Sequence, residues 1–187
     1  MSEMAGPAVK NRSEATTRGL IPVGRSVLVL GLGNILLTDE GIGVRVLQTL
    51  RSRYHLPAGV DAIDGGTAGM DLIDLIAGYD DLIVIDAMET GDPPGTVRRL
   101  ADHELSRFLK QKLSPHQLGF TDVLAFLELM DKAPQTITMI GIQPASLDLG
   151  LEISPSLSSE VNSYADLVAR ELQQIGFVVT PYEDCSV

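Results

Sequence analysis

A single cysteine, Cys185, stands near the end of this 187-residue chain. An internal disulfide is therefore excluded, and so is a structural zinc site built on two or four thiolates. There is no Trp, and His occurs three times, at positions 55, 103 and 116. Histidine-rich metal chemistry is excluded with it, and any working imidazole is one of those three. Basic residues are outnumbered, 14 Lys and Arg against 25 Asp and Glu, for a net charge of −11. A duplex-binding surface needs clustered Lys and Arg to meet phosphates, so nucleic acid is not an expected partner. No apolar run approaches the roughly 18 residues of a membrane span. The first 25 residues also lack the apolar stretch of a secretory signal, which makes the cytoplasm the expected location. The phosphate-binding G-x-x-x-x-G-K, the nucleophile elbow G-x-S-x-G and the zinc motif H-E-x-x-H are all missing.

What is present is an ordinary globular composition, 44% hydrophobic and 21% charged, enough for one domain with a proper core. Residues 1–25 are rich in Ala, Gly, Pro, Ser and Thr, show no periodicity, and carry more base than acid (Lys10, Arg12, Arg18 and Arg25 against Glu3 and Glu14). They read as a flexible N-terminal extension ahead of a single domain over 26–187. From Ser26 the pattern changes. The runs 26–30, 60–63 and 81–86 are short and apolar, and read as buried strands. Between them, 40–50 places Ile42, Val46, Leu47 and Leu50 at helical spacing, with Thr38 as the expected N-cap, and 69–77 reads as a second helix. Strands 96–100 and 135–142 follow, with helices over 105–112, from Ser114 to about Met130, and from Ser154 to about Gln174. Gly176–Thr180 reads as a short terminal strand or an ordered tail. Ser114-Pro115-His116-Gln117 forms a helix start with a capping Ser, Pro at the first turn and Gln three residues on. Near-continuous apolar strands joined by helices imply an α/β fold: three layers, αβα, with a twisted, mostly parallel sheet of about five strands.

Gly31-Leu32-Gly33 after the first strand invites a dinucleotide reading. The fingerprint wants a third Gly at position 36, which is Leu, and a bare helix N-terminus, where Asp39 and Glu40 stand instead. No nucleotide cofactor is expected. In open α/β sheets, ligands sit at the carboxyl ends of the strands where strand order reverses. Right-handed crossovers make the first and third strands neighbours at that reversal. The first leads into Asp39 and Glu40, the third ends on Asp86, the second on Asp64, and His116 opens a helix. Two carboxylates and one imidazole suit a borderline divalent ion such as zinc or nickel. Each residue also has an ordinary use. Glu40 complements a helix dipole, Asp86 caps a loop, His116 lies exposed in a first turn, and Asp39 and Asp64 serve as turn or cap residues. His55 and His103 read as solvated, and Cys185 as a bystander in a polar tail.

The segment Gly31-Leu-Gly-Asn-Ile-Leu-Leu-Thr-Asp-Glu-Gly-Ile-Gly-Val-Arg45 resembles the opening signature of the hydrogenase maturation endopeptidases. Asp64-Gly-Gly-Thr-Ala-Gly-Met70, Leu82-Ile-Val-Ile-Asp-Ala87, Pro94-Gly-Thr96 and Ser114-Pro-His-Gln-Leu-Gly119 fit that family in order, so the resemblance covers about residues 26–180. The family implies the fold read above. It also implies an activity: removal of a C-terminal extension from the large-subunit precursor of nickel–iron hydrogenases once nickel is in place. The metal-contacting positions of the family correspond to Glu40, Asp86 and His116. The resemblance implies nickel, held by the precursor, as the metal, and that precursor as the partner. Asp39 is a candidate general base. Loops 34–39, 88–95 and 144–153 are candidates to receive the extension, with Ile35, Leu36 and Leu37 notably apolar for a loop; alternatively these three pack under the first helix.

Overall fold

The computed structural model describes residues 24–101, 104–105, 107–108 and 115–182, the side chains of 115–118 excepted. The proposed extension to residue 23, the helix start at Ser114, His103 and Cys185 therefore lie outside the described residues. The elements are β1 (Val27–Leu32), α1 (Ile42–Arg53), β2 (Tyr54–His55), β3 (Val60–Gly66), α2 (Leu72–Ile76), β4 (Asp81–Ala87) and β5 (Val97–Ala101). They continue with α3 (Pro115–Leu129), β6 (Thr136–Ile142), α4 (Pro155–Ser158), α5 (Val161–Ile175) and β7 (Thr180–Pro181). Tight 3-10 turns at Thr38–Gly41 and Gly69–Asp71 lead into α1 and α2.

Five strands form one sheet in the order β3-β1-β4-β6-β5. All pairings are parallel except that of the edge strand β5 with β6. The chain builds outward from β1 to β3, then returns to lay β4 on the other side of β1. Strand order thus reverses between β1 and β4, as the sequence implied, and the carboxyl ends of those strands flank the crevice.

The strands are buried on both faces because helices cover both. Val27, Val29, Ile83, Ile85, Ile140 and Ile142 pack toward α1 and α5. Leu28, Leu30, Leu82, Val84 and Met139 pack toward α2 and α3. The alternation follows from the two-residue period of a strand, and it fixes where Asp86 goes: Leu82, Val84 and Asp86 share the α2/α3 face. Each fully buried Leu, Ile or Val contributes about 2 kcal/mol by leaving water.

The glycines after β1 serve packing. At Gly33, φ is +123°, and a Cβ would sit 1.8 Å from the Glu40 carbonyl oxygen. At Gly43, in the first turn of α1, a Cβ would lie 2.2 Å from the Ile85 carbonyl oxygen and 2.3 Å from that of Leu32. Only glycine lets the turn and helix seat directly on the ends of β1 and β4.

Several expectations are corrected. Thr38 is not the helix cap. It sits at φ +31°, and its hydroxyl donates across the fold to the Ser146 carbonyl at 2.8 Å; Gly41 occupies the N-cap position instead. The second strand runs on to Gly66, so Asp64 lies within it. The last helix is two helices, α4 and α5, the second ended by Gly176 in the left-handed conformation. The terminal strand is β7, which pairs with β2. His55 is exposed yet not merely solvated: its ring lies 3.8 Å from that of Tyr182. Arg25, assigned to the extension, belongs to the fold, donating to Asp81 through Nε at 2.5 Å and Nη2 at 2.7 Å.

Candidate functional site

Asp86 sits one residue from the end of β4, 5% exposed on the α2/α3 face. Burial pushes its carboxyl up to about 7. The Ala87 backbone N–H works against that shift, and the nearby Glu40 carboxylate adds to it. Glu40 lies in the 3-10 turn after β1, a turn that packs on β4, and its Oε2 is buried. Two acidic groups from sequence-distant segments therefore lie near one another at the crossover edge, and a cation bound there would relieve both their repulsion and the cost of burying Asp86.

His116 is the second residue of α3. The backbone of α3 packs on the Gly69–Asp71 turn and on α2. Gly119 and Phe120, a helical turn further on, border a small cavity together with Leu32, Gly33, Gly66 and Leu72. The helix start thus lies along the same carboxyl-terminal edge as β1 and β3. The His116 side chain is outside the described residues, and among the described residues no three His, Cys, Asp or Glu side chains gather. The structure brings two of the three expected ligands together. Asp64, on the same edge, is exposed and accepts the backbone N–H of its own Gly66 at 2.9 Å, an ordinary turn contact.

Asp39 has a different environment from its neighbour. It is fully buried. Its Oδ1 accepts the Ser154 N–H at 2.7 Å, and its Oδ2 accepts the N–H of Ala145 at 2.8 Å, the N–H of Ser146 at 3.0 Å and the Ser154 hydroxyl at 2.8 Å. Burial alone would raise its pKa, but these donors outweigh it and hold the group below the usual carboxylate range. A carboxylate so occupied is a poor proton acceptor and a strong tie between two loops.

Sequence reasoning missed two organising residues. Ser154, read only as a helix start, anchors Asp39. Gln143 Oε1 accepts the N–H of Thr90 at 2.7 Å and of Gly91 at 3.0 Å, shaping the loop after β4. Neither has a local signal, because the partners are more than 50 residues away.

The fold is shared with known proteins. The Hydrogenase maturation protease family model matches residues 44–172. The hydrogenase 2 maturation protease of Escherichia coli (strain K12) is 41% identical over 84% of this chain and 96% of its own. The solved structure of the maturating endopeptidase HybD from E. coli superposes with a TM-score of 0.80, covering 85% of this chain and 99% of that one. The HybD maturation protease of Thermococcus kodakarensis, 28% identical, covers 78% of this chain and 98% of its own, with a TM-score of 0.66. On this fold, these matches and their extent, the chain belongs to the hydrogenase maturation protease family and is a peptidase.

Proposed function

We propose that this protein is the endopeptidase that removes the C-terminal extension of a nickel–iron hydrogenase large-subunit precursor after nickel insertion, and that it recognises the nickel. The observation that carries the reading is the pairing of buried Asp86 with Glu40 at the crossover edge. A buried carboxyl with a second carboxylate close by fits a divalent cation, and His116 on the neighbouring helix start supplies the third donor in this reading.

The nickel is part of the substrate here. Glu40, Asp86 and His116 meet it on the precursor, so that only nickel-loaded precursor docks productively. The metal, once met, polarises the groups around the bond to be cut. The chain's own contribution is to hold the ligands on rigid elements: Asp86 in a central strand and Glu40 in a turn that closes on Gly33 at the end of β1. Asp39 is assigned to positioning rather than to proton transfer, because its acceptor sites are filled. A precursor awaiting processing is met where it is made, so the reading carries a cytoplasmic location with it.

The test is to incubate nickel-loaded and nickel-free precursor separately with the wild type and with Glu40→Gln, Asp86→Asn and His116→Ala, and to weigh the precursor's C-terminus by mass spectrometry. The expected result is loss of the extension only with the wild type and only from nickel-loaded precursor. Equal cleavage of the nickel-free form overturns nickel recognition. Normal cleavage by all three variants overturns the site.

A further inference from the structure

The loops that Asp39 ties together make a surface. The segment after β1 and the segment after β6 are hydrogen-bonded along their length. Gly150 N–H donates to the Leu36 carbonyl at 2.9 Å, Thr38 N–H to the Gly150 carbonyl at 2.8 Å, and Asp39 N–H to the Ser146 carbonyl at 3.2 Å. The result is a paired, rigid ledge rather than two loose loops. Its outer side is apolar: Ile35 is 42% exposed, Leu36 56%, Leu147 39%, Leu149 87% and Leu151 64%. The alternative that Ile35 and Leu36 pack under α1 is not what the fold does with them.

We propose that this ledge is the docking surface for the folded body of the precursor, distinct from the carboxylate site that meets its nickel; this rests on the function proposed above. Three observations choose the occupant. The ledge runs directly into Glu40 through Leu37, Thr38 and Asp39, so a protein whose metal reaches Glu40 covers it. The charged side chains beside its apolar residues include exposed Asp148 and Glu152, which outnumber Arg45, whose Nη2 donates to the Leu151 carbonyl at 3.0 Å. A second copy would bring the same acidic rim and another net charge of −11, so self-association is disfavoured. The complementary partner surface is apolar with Lys or Arg around it. Five exposed apolar side chains on a hydrogen-bonded backbone need little ordering on binding, which is where affinity is gained. Loop 88–95, tied back by Gln143 and without an exposed large apolar residue among those described, is left out of the surface.

The experiment uses the full chain and nickel-loaded precursor, with Leu149→Asp and Leu36→Asp as ledge variants. Leu129→Asp, also exposed and at the far end of α3, is the control. Cleavage kinetics and precursor binding by interferometry are read together. The expected result is a rise in KM and in Kd of about tenfold or more for the ledge variants, with kcat and Tm unchanged and the control like wild type. Wild-type KM and Kd in the ledge variants, with Glu40→Gln inactive, overturn the ledge and leave the function standing. A wild type that binds precursor through the ledge without cleaving it overturns the function and leaves the ledge standing. A wild type that neither binds nor cleaves it overturns both. A wild-type dimer that the ledge variants dissociate assigns the surface to a second copy. Tighter precursor binding after deletion of residues 1–23, at the cost of the ledge effect, assigns it to that segment. Either of the last two results overturns the proposal.

Discussion

Ser154 donates twice to Asp39, through its backbone N–H at 2.7 Å and its hydroxyl at 2.8 Å, across 115 residues of sequence. This contact joins the turn that carries Glu40 to the start of α4. Its neighbour Glu40 has different company: Asp39 is saturated by donors, whereas the charge of Glu40 is felt at Asp86.

Replacing Asp39 with Ala removes the acceptor of three backbone N–H groups in a buried place. The expected cost is about 3 kcal/mol at neutral pH, read from denaturant midpoints. Because the folded-state pKa is depressed, this stabilisation is present above the ordinary carboxylate value of 3.8 and is lost as pH falls through the lower folded value. The gap between wild type and variant therefore narrows below about pH 4. A gap that stays constant down to pH 2 would contradict the role of the charged form.

Asp86→Asn gives the reverse outcome. A carboxyl raised to about 7 favours the fold when protonated, and that contribution is lost as pH rises from 3.8 through about 7. In the metal-free protein at pH 8 the Asn variant is expected to be more stable than wild type, on the order of 2 kcal/mol, while precursor cleavage is abolished. Thermal melts at pH 5 and pH 8 check the first half; a variant less stable at both pH values contradicts it.

Gly33→Ala forces a methyl against the Glu40 carbonyl at a positive φ. Destabilisation on the order of 3 kcal/mol is expected, together with loss of cleavage, because the Glu40 turn must lift from the strand end. Near-wild-type melting would show that the turn yields without cost.

Arg25→Ala leaves Asp81, 1% exposed, without its counter-charge, while the Thr136 hydroxyl still donates to it. The expected loss is about 3 kcal/mol of stability with kcat unchanged, since this pair lies at the opposite edge of the sheet. Urea unfolding and single-turnover cleavage separate the two; a fall in kcat in the folded variant contradicts the assignment.

Much of the fold was legible because its signals are local. Strands that are apolar on both faces and helices spaced between them already imply a parallel sheet covered on two sides. Reversal of strand order beside β1 follows from crossover handedness. Topology placed Glu40 and Asp86 at the same sheet edge, together with Asp39 and Asp64, and the family resemblance then singled these two out. Thr38 misled because Ser or Thr before an apolar period reads as a cap, whereas a long-range bond to Ser146 claimed its hydroxyl. The break between α4 and α5 interrupted what had read as one continuous helix.

The linear order of residues decided the class of fold and the strand ends that carry acid, since period and spacing act over a few residues. Tertiary structure alone decided that Asp39 is a tie and Asp86 a buried acid, that Gly33 and Gly43 serve close packing, and that Ile35 and Leu36 face outward. Those outcomes depend on which distant donors, carbonyls and charges arrive beside each group, and desolvation and hydrogen bonding are set by that company.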